Sequence, residues 1–262
     1  MELSGAARDL LLKRVEAEPC LLSDWVLPIW SQDTVAGNRI NLYDGRLRMI
    51  DESGAMRAEY EASAYADHLV ESTLDWSYMK PVHAMEGAER FQYRVGPLAR
   101  INTADSISTP LADRELASFR TSFGRPAHAT VLQTYARLIE LIYAIERARE
   151  IVRDPDLGGP TRVAVKLRAG RVVGQVEAPR GTLFHDYEID DQGVVRAANL
   201  LVATQQNYAA INASIAPATA NCSTPWSSPS AATIPVFPAP RMLSAGCRWR
   251  WRCGGAAMWS AS

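Results

Sequence analysis

A chain of 262 residues with 47% hydrophobic residues and a formal net charge of -1 is long enough to bury a core in one domain or two small ones. Its near-neutral charge provides no electrostatic footprint for nucleic acid or an acidic membrane surface. No apolar run approaches the roughly 18 residues of a spanning helix, and Met1-Glu2-Leu3-Ser4-Gly5 carries no leader pattern, so a cytoplasmic protein without membrane or nucleic-acid partners is expected. The cysteines, Cys20, Cys222, Cys247 and Cys253, are sparse and form no C-x-x-C pair, which argues against a disulfide framework.

Residues 6–18 have helical spacing with charge on one side, and Pro19 stops them. Residues 42–51 alternate with period two across Asp44-Gly45, a hairpin cue, and Ser53-Gly54 follows as a second tight pair. Both are expected to be peripheral. In residues 91–102, Gly96-Pro97 breaks an alternating strand, turning Leu98 inward and Arg100 toward a polar partner. Arg94 and Arg100 read as salt-bridged surface or boundary residues. Thr109-Pro110 with Asp113 and Glu115 marks a helix start, with Thr109 as its cap.

The major helix is expected from about Ala129 to Arg153. Its apolar residues, Val131 through Ile145, cover more than half the circumference, so it calls for neighbours on two sides. Arg137 and Glu140 are spaced to pair with each other, and His128 at the helix start reads as a cap or core residue. Residues 161–176 return to strand, with a turn at Ala169-Gly170-Arg171. They lead into Glu177-Ala178-Pro179-Arg180-Gly181, where proline and glycine flank one arginine and hold its guanidinium on a tight backbone. A strand over 182–190, a turn at Asp191-Gln192-Gly193 and a returning strand to Ala203 bring Arg180 and Thr204 to the same end of one hairpin.

The segments Glu177–His185 and Val202-Ala203-Thr204-Gln205-Gln206-Asn207 resemble the E-A-P-R-G and V-[AP]-[ST]-x-x-N turns of the large subunit of cytoplasmic [NiFe] hydrogenases. Trp76-Ser77-Tyr78-Met79-Lys80, Tyr93 through Asn102, Thr109 through Asp113 and Tyr135 through Glu140 match further motifs of that family in order. The likeness is nearly continuous to about Asn212. It implies an α+β fold: a mainly helical hydrogenase large-subunit core fragment, residues 1–212, with peripheral β-hairpins. It also implies heterolytic cleavage of H2 at a Ni-Fe centre carrying cyanide and carbon monoxide. Arg180 would then be the catalytic arginine over the cyanides, Thr204 a hydroxyl donor to the other cyanide, and Pro179 and Ala203 apolar wall positions. The implied partners are an iron–sulfur hydrogenase small subunit with flavin-containing NAD(P) diaphorase subunits.

The pattern breaks near the end. After Asp191 there is no acidic residue, and the last 42 residues hold four of the seven tryptophans and five prolines with neither helical nor strand periodicity. Residues 213–262 therefore read as a disordered tail. Thr233 through Leu243 can be written in codons that, read from the third base of the Thr233 codon, spell Asp-Pro-Cys-Leu-Ser-Cys-Ser-Thr-His-Ala. That matches the family's closing D-P-C-x-x-C-x-x-H, and the middle base at each of the motif's Asp, Pro, Cys and His positions in the new frame is dictated by the residues present. A frameshift between about 213 and 221 is expected on that ground. The family's first cysteine pair has no counterpart either, so this chain by itself is expected to hold no metal ligands and to lack hydrogenase activity. The alternatives are a non-catalytic scaffold similar to the quinone-side subunit of complex I, whose turn usually carries Lys where this chain has Arg180, and an interaction protein with a basic tail.

Overall fold

The computed structural model describes residues 2–23, 26–160, 162 and 168–220. In chain order the elements are α1 (Glu2–Ala17), α2 (Cys20–Ser23), β1 (Trp30–Ala36), β2 (Arg39–Ile40), β3 (Arg46–Ile50), β4 (Met56–Tyr60), α3 (Tyr65–His68), β5 (Leu69–Glu71), β6 (Val82–Glu86), β7 (Glu89–Phe91) and β8 (Tyr93–Arg94). They continue as α4 (Pro97–Thr103), α5 (Pro110–Phe123), α6 (Leu132–Ile151), β9 (Gly170–Ala178), β10 (Gly181–Ile189), β11 (Val195–Leu201), α7 (Ala203–Gln206) and α8 (Tyr208–Ala220). The architecture is mixed α+β. The expectation of a mainly helical fragment is corrected, because three sheets carry as much of the organisation as the helices.

The central sheet runs β2-β1-β3-β4, with β8 joining β1 in parallel. The hairpins of this region are not peripheral. Leu47, Met49 and Tyr60 are buried in a core with Trp30, Tyr93 and Phe184. The turn that closes β3 onto β4 is the Ser53-Gly54 one, and Asp44-Gly45 instead leads the chain into β3 beside β1. A Cβ on Gly45 would lie 2.3 Å from the Val35 carbonyl oxygen, so close backbone approach, and not hairpin closure, is why glycine stands there.

A second core joins the helices. On α6, Leu132, Tyr135, Ala136 and Ile139 are buried among residues of α1, α4 and α5, each large side chain contributing about 1.5–3 kcal/mol by leaving water. The opposite stripe stays open among the described residues, with Leu141 and Ile145 each 48% exposed. Only one of the two sides expected for this helix is covered. At the start of α5, Thr109 makes no side-chain capping bond. The Glu146 carboxylate on α6 accepts from the Leu111 and Ala112 amides instead, placing negative charge at the helix N-terminus. The helix α8 runs through residues 213–220, which were expected in the disordered tail. The rest of that tail, including the segment read in a second frame, lies outside the described residues, as do 161 and 163–167 of the strand expected over 161–176.

The β3–β4 turn is held by Asp51, which accepts from the Ser53 and Ala55 amides, the Ser53 hydroxyl and Arg57. Burial alone would raise its pKa, but these donors outweigh burial and hold it at about 2, below the ordinary 3.8. A depressed folded-state pKa contributes stability that is complete above the unfolded value and is lost as pH falls through the folded one. Asp51→Asn is therefore expected to cost about 1–3 kcal/mol at neutral pH. In urea titrations repeated downward from pH 4, the gap from the unsubstituted chain should close as the pH approaches 2.

Candidate functional site

The Glu177–Gly181 segment is the turn between β9 and β10. Ala178 pairs with Gly181, leaving Pro179 and Arg180 as a two-residue loop. Pro179 and Arg180 are exposed, as the flanking residues dictate: proline has no N–H to give a ladder, and Gly181 takes φ 133, which a side chain would resist. The second turn follows β11, whose last residue, Leu201, lies opposite Phe184 near the start of β10. Ala203, buried, and Thr204, half-buried, open α7 there. Two bonds tie the two turns: Asn207 Nδ2 donates to the Arg180 carbonyl at 3.1 Å and Gln206 Nε2 to the Thr182 carbonyl at 2.6 Å, while Gln206 Nε2 also reaches the Leu201 carbonyl of its own turn at 3.5 Å.

A third segment closes against both. The Val95 amide donates to Asn207 Oδ1 at 2.9 Å, and the Tyr93 hydroxyl donates to Gln206 Oε1 at 3.1 Å. Gly96, at φ 100, abuts the Arg180 backbone, where an added Cβ would stand 2.6 Å from its carbonyl oxygen. Asn207 thus fixes one backbone donor and one backbone acceptor from two distant segments. The four residues that the sequence marks as a site, Pro179, Arg180, Ala203 and Thr204, fall at this one end of the β9–β11 sheet.

Beneath the Arg180 turn lies a buried ion cluster. Arg100, on α4, donates through Nε and Nη2 to Glu177 Oε2 at 3.0 and 2.9 Å and through Nη1 to Glu140 Oε1 at 2.8 Å. Its Nη2 also reaches the Ala178 carbonyl. Glu177 Oε1 accepts from Thr34 at 2.8 Å and Thr182 at 2.7 Å. The expectation that Arg94 and Arg100 lie at the surface is corrected: they are 3% and 2% exposed. Arg100 is salt-bridged as expected, whereas Arg94 donates to the Leu27 carbonyl, and burial lowers its pKa to about 10. Glu140 turns to Arg100, so the expected intrahelical Arg137–Glu140 ion pair does not form among the described residues. Arg137 Nη1 has no hydrogen-bond partner among the described residues, and burial lowers the Arg137 pKa, with the Arg180 charge adding to that effect while Glu140 opposes it.

Glu140 and Arg100 sit within motifs visible in the sequence, yet their pairing joins positions 40 apart and no local rule connects them. Asp33 escapes sequence reasoning. Its one signal is the polar run Ser31-Gln32-Asp33-Thr34 set between Trp30 and Val35 inside one strand. His128 is half-buried, its Nε2 at 2.8 Å from the Glu52 carbonyl.

Among the described residues no three His, Cys, Asp or Glu side chains are grouped to hold a metal ion, and the one free cysteine described, Cys20, is exposed. The described residues hold no thiolate set, so they do not by themselves fit a nickel–iron centre. No helix among them is long and apolar enough to cross a membrane.

The chain belongs to the hydrogenase family, as curated relatives 43% and 40% identical over more than two thirds of it show. No protein-family profile matches the sequence, but curated hydrogenase subunits do. A vhu-type subunit of the F420-non-reducing hydrogenase of Methanococcus voltae is 43% identical over 184 residues, 70% of this chain and 44% of that one. The beta subunit of the NAD-reducing hydrogenase HoxS of Cupriavidus necator is 40% identical over 183 residues, 68% of this chain and 38% of that one. Among solved structures, an NAD+-reducing [NiFe]-hydrogenase in the H2-reduced state superposes with a TM-score of 0.74 at 32% identity, covering 83% of this chain and 50% of the other. The chain spans less than half the length of the curated relatives it matches.

The backbone contact at Gly96 yields a direct test. Gly96→Ala is expected to destabilise the chain by roughly 1–3 kcal/mol in urea unfolding. Gly174→Ala, where an added Cβ meets nothing within 4 Å, should stay within about 0.5 kcal/mol of the unsubstituted chain.

Proposed function

We propose that this chain is the later part of the metal-bearing large subunit of a cytoplasmic NAD(P)-linked [NiFe] hydrogenase. Arg180 is then its catalytic arginine, Thr204 a hydroxyl donor, and Pro179 and Ala203 apolar walls facing the iron ligands. The observation that carries the reading is the bond from Asn207 to the Arg180 carbonyl, which joins the two turns whose residue types suit an anionic diatomic ligand. A guanidinium presents a planar fork of donors, a threonine adds one more, and Pro179 and Ala203 add no competing polar group. When bound, a nickel–iron centre would supply the H2-splitting chemistry. The chain's own contribution is to orient donors and exclude water around it, in the manner of groups outside a ligand set that tune a metal. The likeness to one subunit of an NAD-reducing hydrogenase supports the presence of partner subunits, which in this reading are an iron–sulfur small subunit and a flavin-containing NAD(P) module.

The thiolates of such a centre, soft ligands suited to nickel and iron, belong in this proposal to segments that this reading frame does not encode. One pair is recoverable in the second frame over Thr233 through Leu243, and the other lies in the part of the relatives outside the matched stretch. Arg180 favours this reading over the quinone-binding scaffold, whose turn usually carries lysine.

The gene resolves the matter. Re-sequencing codons 205 to 245 together with the upstream region is expected to restore an Asp-Pro-Cys-Leu-Ser-Cys frame and an earlier cysteine pair. Expressed from that corrected gene with its neighbours, the complex should bind nickel and consume H2. Arg180→Lys should retain the nickel and lower the rate by about 100-fold or more. A frame that stands as given, or a nickel-free complex from the corrected gene, overturns the proposal.

A further inference from the structure

The cluster under the Arg180 turn holds more negative than positive charge. Asp33, Glu140 and Glu177 converge on the single guanidinium of Arg100, and all of their side chains except that of Glu140, at 19%, are no more than 3% exposed. Arg137 adds a second cation on the Glu140 side alone. With every group ionised, the five charges sum to minus one in a water-poor interior, where an uncompensated charge is costly.

The three carboxylates are not equivalent. Glu177 accepts four hydrogen bonds, two hydroxyl and two guanidinium, and Glu140 accepts one from Arg100. Asp33 is wholly buried, and neither of its oxygens has a hydrogen-bond partner among the described residues. Arg100 Nε stands 3.7 Å from Oδ1, turned to Glu177, and the Thr34 amide adds a stabilising contact without hydrogen-bond geometry. Across the sheet Asp33 lies opposite Arg48, whose guanidinium is engaged by Glu59, the Gly37 carbonyl and the Asn38 side chain. Both cations therefore give their hydrogen bonds to other groups, and only the 3.7 Å ion pair from Arg100 reaches Asp33.

We propose that this cluster is a buried proton-binding site, that Asp33 is the member holding the proton at neutral pH, and that Asp33 is thereby a positioning residue for the Arg180 turn. A neutral Asp33 leaves Arg100 to Glu177 and to the Ala178 carbonyl, the two groups that lead directly into Pro179 and Arg180. An ionised Asp33 competes for the same Nε and draws the guanidinium away from both. Burial pushes the Asp33 carboxyl well above its ordinary range, the Glu177 charge adds to this, and Arg100 opposes it. Burial also raises Glu140, against the Arg100 charge and hydrogen bond, so the two acids compete for one proton. Proton occupancy of Asp33 stands whether or not the chain serves a hydrogenase; only the consequence for Arg180 rests on that reading.

Infrared spectra of the full 262-residue chain at neutral pH test the proposal without any metal. A protonated-carboxyl C=O band is expected, moving in heavy water, moving again when aspartate carries heavy carbon in its side-chain carboxyl, and absent from Asp33→Asn. Absence of such a band, or a band that moves only when glutamate is labelled, overturns it. Urea unfolding supplies a second readout. A raised folded-state pKa costs stability as pH climbs from the unfolded value toward the folded one. The Asp33→Asn midpoint should therefore gain steadily on that of the unsubstituted chain from about pH 4 to pH 8, and a difference independent of pH counts against the proposal. Both readouts are independent of H2 turnover, so their failure leaves the functional proposal untouched, and the reverse holds as well.

Discussion

A single buried guanidinium joins the parts of this protein that local structure would leave separate. Arg100 on α4 reaches β9 through Glu177, α6 through Glu140 and the Arg180 turn through the Ala178 carbonyl. Those partners come from 40, 77 and 78 positions away, so the helical core and the β9–β11 sheet share one electrostatic anchor. Such an anchor adds little net stability, because desolvation offsets most of the attraction. Its effect is geometric: the carboxylate that precedes Pro179 and Arg180 can sit in one place only, and the turn that presents Arg180 inherits that definition.

The same logic explains the glycines around the turn. Gly96 and Gly181 lie where two backbones meet with no room for a Cβ: one added at Gly96 would touch the Arg180 carbonyl, and one at Gly181 would stand 2.2 Å from Val95 Cγ2. With side chains excluded, backbone groups are held by Asn207 and Gln206 instead, each making bonds to two segments. The exposed Arg180 therefore stands on a backbone held from both sides.

Much of this was legible locally. Pro179 and Gly181 around Arg180 mark a tight turn, the period-two strands after it mark a hairpin, and together they place Arg180 and Thr204 at one end. Pairings set by tertiary contact were not legible. Asp44-Gly45 carries the strongest hairpin cue in its stretch, yet it serves a close pass of β1, because Val35 leaves no space for a side chain there. Thr109 has the chemistry of a cap, but Glu146, 35 positions from Leu111, takes the role from another helix. Arg137 and Glu140 have the spacing of a helical pair worth a few tenths of a kcal/mol, and the stronger bond to a buried Arg100 draws Glu140 away.

The β1 strand shows what sequence periodicity hides. Gln32, Asp33 and Thr34 are polar and all but fully buried, the reverse of what a strand in a sheet core should place there. Each is explained by a partner brought from elsewhere in the fold: Tyr60 for Gln32, Glu177 for Thr34 and Arg100, at longer range, for Asp33. Polar groups retained in a core are costly unless satisfied, and Asp33 alone of the three lacks a hydrogen bond. A neutral acid removes the larger part of that cost while keeping the group able to ionise, so the least satisfied residue in the strand is also the one whose charge state can alter how firmly Arg100 grips the turn above it.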